Sequence, residues 1–178
     1  MNAVEALQRF EQTVSYYLHE LDGFSMEQLK FQQAEGEWSI GQMYQHLIQS
    51  ALHMQLRNIE QCLAQSNGST TTTAKTEEGA AVFEQGSFPP IRIHVPPSPQ
   101  YTPAQPETKE QLIQGLALVI RRMNEIQPSL EEASVQNTVL HPRLGALNAK
   151  EWFLLIEMHY RHHLRQLKRL KQLMGEEL

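Results

Sequence analysis

The spacing of apolar residues along the chain predicts four long helices. In each of them, apolar side chains recur three and four positions apart, which gathers them on one face of a helix with about 3.6 residues per turn. The predicted helices cover about residues 3–22, 40–65, 109–126 and 149–174. Because each helix has a single apolar face, we expect the four helices to pack around one shared core.

Helix start signals in the sequence agree with this spacing. A capping box pairs an N-cap Ser, Thr, Asn or Asp with a Glu or Gln three residues later, and each side chain satisfies a free backbone N–H group of the other residue. One such pair precedes every predicted helix: Asn2 with Glu5, Ser39 with Gln42, Thr108 with Gln111, and Asn148 with Glu151. The two patterns together predict an all-α fold, a four-helix bundle.

The segment from residue 66 to residue 106 differs in composition from the rest of the chain. It contains seven of the nine prolines, and proline inside a helix removes a hydrogen bond and clashes with the preceding turn. We therefore expect no helix in it. A structureless connection of this length is unusual in a compact domain, so we interpret it as a crossover laid over the bundle. Such a long crossover lets the second and third helices run parallel, which predicts an up-down-down-up topology.

Inside this crossover, Ile91, Ile93 and Val95 alternate with polar residues. Alternation of this kind is typical of an extended segment with one apolar face. We expect a short extended piece that lies against a helix. His94 has no other metal-binding residue at ligand spacing, so we expect its side chain to be solvated.

Composition and charge narrow the class of protein. The 178 residues suffice for one domain with a real core, and we interpret residues 1–178 as a single domain. The net charge of −5 offers no general attraction to nucleic acid or to an anionic membrane. No apolar run approaches the roughly 20 residues that span a bilayer, and the first residues lack a secretion signal. The single cysteine, Cys62, cannot form an intramolecular disulfide. We expect a cytoplasmic protein.

Two histidines occupy the apolar face of the fourth helix, where leucine would be expected. His159 and His163 are four residues apart, so their side chains lie one above the other and one metal ion can bind a nitrogen of each. A metal site there needs one further ligand from a neighbouring helix. In the alternative interpretation, both are core residues that bond to buried carbonyls or to solvent. A leucine-rich face offers few such partners, which favours the metal.

The second helix offers two histidines as the third ligand. His46 and His53 are two turns apart, about 10 Å along a helix, so they cannot both bind the same ion. Counting turns from the helix ends places His53 nearer the level of His159 and His163 if the second and fourth helices are antiparallel. The spacing alone leaves both residues open, and the one that does not bind metal could line the pocket.

Several motifs in the second and fourth helices, and in the turn before the fourth, occur in a defined order. They are Trp38-Ser39 ahead of His46, the turn His141-Pro-x-x-Gly-x-Leu147, Glu151-Trp152, and His159-x-x-x-His163-x-x-Gln166. In order and spacing, these motifs resemble the DinB/YfiT-like superfamily. The resemblance does not include the proline-rich crossover, and the first and third helices contribute only their apolar pattern.

The resemblance implies a four-helix bundle that holds a divalent metal, commonly zinc or nickel. Carried over to this sequence, it selects His46, His159 and His163 as the metal ligands, and His53 could then line the pocket. Gln166, close to one turn beyond His163, could orient the free ring nitrogen of that ligand. Three neutral imidazoles leave coordination positions open for water or substrate, as catalytic zinc sites do. The cation then makes a bound water or thiol more acidic.

Relatives in this superfamily include metal-dependent transferases of low-molecular-weight thiols, a mycothiol-dependent isomerase and metal-dependent hydrolases. Hydrolysis usually needs a carboxylate beside the water, and Glu157 faces away from the apolar face of the fourth helix. Thiol activation needs only an open metal. We therefore expect a metal-dependent enzyme that activates a small thiol, or water, for S-transfer or hydrolysis. The alternative is a non-catalytic, metal-stabilised, stress-related binding module. The resemblance also allows a homodimer.

Overall fold

A computed structural model describes residues 1–65, 74–92 and 98–177 of the chain, and this part is mostly helical. The α-helices are α1 (Ala3–Gly23), α2 (Met26–Lys30), α3 (Ile40–Ser50), α4 (Leu56–Ala64), α5 (Glu77–Gln85), α6 (Lys109–Ile126) and α7 (Ala149–Glu177). Two strands, β1 (Thr138–His141) and β2 (Gly145–Asn148), form an antiparallel pair. No helix in the described ranges has both the length and the apolar character needed to cross a membrane.

The capping boxes mark the helix starts as the sequence predicts. The boxes at Asn2, Ser39 and Asn148 are reciprocal: each N-cap side chain accepts from a backbone N–H, and the Glu or Gln accepts in return. The pair before α6 differs. Thr108 accepts from the Gln111 N–H, but the Gln111 side chain accepts from the backbone N–H of Glu107, one residue earlier. One unpredicted box, at Ser25, begins the short helix α2.

The expectation that no helix occurs between residues 66 and 106 is wrong, because α5 lies there. The prolines of this segment begin at Pro89, so nothing in residues 74–88 prevents a helix. Thr76 caps the start of α5, and Gly86, with a φ of 64°, ends it. Residues 66–73 and 93–97 lie outside the described part of the chain. The predicted extended piece at Ile91–Val95 and the prediction for His94 fall on the second of these gaps.

The all-α prediction is likewise incomplete, because the turn before α7 is a β-hairpin. Val139 stands opposite Leu147, and the ring Nδ1 of His141 accepts from the backbone N–H groups of Arg143 and Leu144, each at 3.1 Å. Gly145 has a φ of 84°, a left-handed conformation that glycine adopts without strain. A side chain and a glycine thus close the turn that joins the two strands.

Three tyrosines join α1, α3 and α7 at the centre of the core. The hydroxyl of Tyr44 donates to the Tyr17 carbonyl at 2.7 Å, and the hydroxyl of Tyr17 donates to the Tyr160 carbonyl at 2.7 Å. All three side chains are fully buried. Their rings meet edge to face, which is the favourable arrangement for aromatic pairs. The helices that carry the candidate ligands are therefore held together by directional contacts as well as by apolar packing.

The helix predicted for residues 40–65 is present but is not regular. α3 continues into a π-helical turn at Ala51–Gln55 and then into α4. A π-helical turn inserts one extra residue, which rotates the side chains after it relative to a regular α-helix, and such turns often occur near functional sites. In this turn His53 is exposed, whereas Gln55 is only 2 % exposed.

Candidate metal centre

Three imidazoles converge between α3 and α7. The Nε2 atom of His159 lies 3.0 Å from the Nε2 atom of His46 and 3.0 Å from the Nε2 atom of His163. Among the described residues, these three histidines form the one group whose ligand atoms lie close enough together to hold a metal ion. The sequence named all three, and the structure brings them together.

Hydrogen bonds between the rings do not account for this arrangement. An imidazole nitrogen has a single hydrogen-bonding direction in the ring plane, so the Nε2 atom of His159 cannot make two linear hydrogen bonds. A shared cation uses the lone pairs of all three nitrogens. In a tetrahedral zinc site with Zn–N bonds of 2.0–2.1 Å, neighbouring nitrogens are about 3.3 Å apart. The two separations of 3.0 Å are within a few tenths of that value, and all three ligand atoms lie within 4.8 Å of one another, so the three residues fit a divalent ion.

The outer ring nitrogens of the three histidines have different surroundings. His163 Nδ1 lies 2.7 Å from the side-chain oxygen of Gln166. His46 Nδ1 lies 3.5 Å from the hydroxyl of Ser50. His159 Nδ1 is buried and has no hydrogen-bond partner within the described residues. His163 is therefore the candidate ligand whose tautomer is best determined by the protein.

Burial keeps the three imidazoles neutral. Desolvation, together with a smaller effect of the charge on a protonated His163, lowers the pKa of His46 to about 3. Desolvation also lowers the pKa of His163 to about 4, although its bond to Gln166 acts in the opposite direction. The pKa of His159 is lowered well below its ordinary value, first by burial and then by the two neighbouring rings. Neutral imidazole is the form that binds metal, so no proton must leave near pH 7.

The triad opens into a cleft of about 480 Å³. Trp38 packs against His46 with ring centroids 4.9 Å apart, and Phe88 reaches His159 and His162 from the other side at 6.4 and 5.5 Å. The cleft is large enough for a small molecule. The histidines are thus at the inner end of an accessible pocket.

The two remaining candidates of the sequence have different positions. Gln166 contacts a triad member, as its spacing from His163 predicts. His53 is exposed in the π-helical turn and is not among the residues that line the cleft. The sequence allowed His53 to line the pocket, and the cleft lining does not include it.

Counting turns from the helix ends favoured His53, and the position of the hairpin explains why that count was misleading. The end of α4 lies beside the hairpin: the Cys62 thiol contacts the Leu147 carbonyl, and the Gln65 side chain donates to the Thr138 carbonyl. The α3–α4 helix therefore ends level with the strands, and the start of α7 lies nearer the triad than the end of α4 does. This offset brings His46 level with His159.

Several cleft residues carried no signal in the sequence. Phe88 and Arg92 belong to the proline-rich segment, and the alternation at residues 91–95 does not show which part of the bundle this segment faces. Gln55 lies in the π-helical turn and is buried in the cleft wall, and its side-chain oxygen has no hydrogen-bond partner within the described part of the chain. Local patterns cannot predict an inserted helical residue or the path of an aperiodic segment.

The fold and the site together define a mostly helical protein with a histidine-lined cleft. The sequence model of the DinB superfamily matches residues 9–167, and the chain belongs to this family. Comparison with curated proteins found no significant match. Comparison with solved structures found none either.

Proposed function

We propose that His46, His159 and His163 bind a divalent metal ion and that the protein is a metal-dependent enzyme. The observation that supports this proposal is the convergence of three neutral imidazoles, with Nε2 atoms 3.0 Å apart in two pairs, at the end of an open cleft. DinB proteins often bind metal, which agrees with it. A three-histidine set leaves coordination positions free, as catalytic sites do.

The donor set favours zinc or nickel. Imidazole nitrogen suits both ions, whereas magnesium and calcium prefer oxygen ligands. The site offers three nitrogen donors and no cysteine, since Cys62 bonds to the Leu147 carbonyl at the far end of α4. A site with three nitrogen ligands leaves coordination positions open, so it is suited to activating a bound ligand rather than to a purely structural role.

The reaction we favour is transfer to or from a small thiol. A bound divalent ion would supply acidity to a thiol or to water. Hydrolysis usually requires a carboxylate base as well. In the described part of the cleft, the acidic lining residue is Glu37, and both of its oxygens accept from Arg92. Glu157 is fully buried and pairs with Arg161, so it is not free either. Thiol activation does not need such a base.

We also propose that the helices form a four-helix bundle with up-down-down-up topology. α7 packs against α1, α3 and α4, and α6 packs against α1 and α3, which supports a shared core of α1, the α3–α4 helix, α6 and α7. The contacts of residues 74–92 with the hairpin and of residues 103–105 with α3 support a crossover held on the bundle. A cytoplasmic location and a homodimer stay predictions.

Metal content, stability and activity, measured on one preparation, test the proposal. We expect about one zinc or nickel per chain by elemental analysis, and a lower melting temperature after chelation. We also expect metal-dependent conjugation of small thiols to an electrophile. A metal-loaded protein that melts higher but has no thiol-transfer or hydrolytic activity would instead be a non-catalytic, metal-stabilised module. A protein that binds no zinc or nickel would overturn the proposal.

A further inference from the structure

The cleft carries an unbalanced positive charge, although the chain as a whole is negative. Its lining includes four arginines but one carboxylate, Glu37, in the described part of the chain. The arginines are Arg92, Arg143, Arg165 and Arg169. Each of them keeps its charge at any physiological pH. The pocket therefore has a net charge opposite to that of the protein, which is −5 overall.

The ion pairs of these arginines leave two cations without a full partner. Glu37 accepts two bonds from Arg92, at 2.6 and 2.5 Å, and lies 3.8 Å from Arg169, so one carboxylate serves two guanidinium groups. Arg143 pairs with Glu78. Arg165 is exposed and has no ion pair among the described residues. Arg165 and Arg169 are thus the groups best able to receive an anion.

The two arginines stand on the same helix as the triad. Along α7, His159 and His163 are followed by Arg165 and Arg169, and all four line the cleft. Arg169 is six positions after His163 in the helix, which is about 9 Å along the axis. A small molecule can reach from the arginines to the triad within the cleft of about 480 Å³.

The helix dipole does not explain these cations. Favourable interaction of cations with the dipole is limited to the last turn of a helix, and α7 continues to Glu177, two turns beyond Arg169. Arg165 is exposed, but both it and Arg169 line the cleft, a position that solubility alone does not require. A function in binding explains both the position and the incomplete pairing.

We propose that the cleft binds a small anionic molecule whose carboxylate or phosphate is held by Arg165 and Arg169 while its other end reaches the histidine triad. The planar guanidinium forks match paired oxygens of either anion. This inference rests on the proposed function, because it names the class of substrate for the same site. The proposal predicts that the negative charge of the small molecule, and not only its thiol group, determines how tightly it binds.

Two thiols of equal length test the proposal by calorimetry on the zinc-loaded protein. 3-Mercaptopropionate carries a carboxylate, and 3-mercaptopropionamide is its neutral counterpart. At low salt we expect the anion to bind about tenfold more tightly, as charge-assisted hydrogen bonds would give. The preference should fall as salt increases, because the arginines are partly exposed to solvent. Equal affinity of the two thiols at low salt would overturn the proposal.

Charge-matched variants locate the binding groups. The double variant Arg165→Gln/Arg169→Gln should lose the preference, and Arg165→Lys/Arg169→Lys should retain part of it. The control Arg9→Gln/Arg57→Gln removes two exposed arginines outside the cleft lining and should behave as the wild type. Circular dichroism confirms that each variant is folded. A preference that survives in the Gln variant would contradict the assignment.

Two further measurements distinguish a failure of the proposed metal function from a failure of the proposed anion binding, and a carboxylate ligand from a phosphate ligand. If zinc does not bind but the metal-free protein still prefers the anionic thiol, the proposed function fails and this inference stands. If zinc binds but the protein does not prefer the anionic thiol, this inference fails and the proposed metal binding stands. Competition of acetate and of inorganic phosphate against 3-mercaptopropionate then shows which anion the arginines accept. Failure of both to compete would overturn the proposal.

Discussion

The side-chain oxygen of Gln166 lies 2.7 Å from Nδ1 of His163, less than one full turn further along α7. An amide oxygen can only accept, so Nδ1 must carry the hydrogen of the neutral ring. Nε2 of His163 is then left with a free lone pair, directed at the other two imidazoles. Gln166 thus favours the tautomer in which Nε2 is free to bind a metal ion.

Replacing Gln166 by leucine should weaken zinc binding by about 10- to 100-fold, the usual effect of losing a partner of a metal-bound histidine. Gln166→Glu keeps an acceptor at the same position and should bind zinc more tightly than the leucine variant. Competition with a chromophoric chelator measures the affinities. Gln172→Leu, an exposed change on the same helix, is the control. Equal affinity of the wild type and Gln166→Leu would exclude this function for the glutamine.

Replacing His163 or His46 by alanine should lower metal occupancy by at least about tenfold, since each change removes one of the three proposed ligands. His53→Ala is the matched control, because His53 belongs to the same continuous helix as His46 but is exposed and outside the cleft lining. Elemental analysis after dialysis measures occupancy. Loss of metal in His53→Ala, with normal occupancy in His46→Ala, would reverse the assignment of the third ligand.

The stability of the metal-free protein should fall as the pH is lowered from about 6.5 toward 4. The pKa of His46 is about 3 and that of His163 about 4 in the folded state, against about 6.5 when unfolded. Between these values the unfolded chain binds more protons, so acid favours unfolding, by about 2 kcal/mol per histidine at pH 5. Urea unfolding at pH 7 and pH 5 measures the difference.

The double variant His46→Gln/His163→Gln is the control for this pH dependence. It removes two of the buried titrating groups, so its stability should change less between pH 7 and pH 5. A wild-type protein that is as stable at pH 5 as at pH 7 in the presence of chelator would contradict the burial of neutral imidazoles.

Gly79→Ala should loosen the docking of α5 on the hairpin. A Cβ atom at Gly79 would overlap the carbonyl oxygen of Leu144, a backbone atom that cannot move alone. We expect a loss of about 1–3 kcal/mol and faster hydrogen exchange in residues 77–85. Gly23→Ala is the control, since a Cβ atom there meets nothing within 4 Å. Unchanged exchange in α5 would show that the close approach is not needed for docking.

The same local patterns predicted the helices well and the connections badly. Capping boxes and apolar spacing depend on neighbours three or four residues away, so they identified the starts of α1, α3, α6 and α7. The prediction that the crossover contains no helix used its total proline content. It therefore missed the proline-free stretch that forms α5. The hairpin was predicted only as a turn, because its strands are four residues each.

The sequence by itself determined the family, the helical character and the position of His159 and His163 on one face of the fourth helix. These follow from residue types at short, regular spacings. Only the tertiary structure decided which helix-two histidine stands level with His159, because the hairpin beside the end of α4 sets that offset. It alone also brought Arg165, Arg169 and Phe88 to one cleft. The physical reason is that relative helix heights and cleft walls depend on packing between segments distant in sequence, which no local pattern contains.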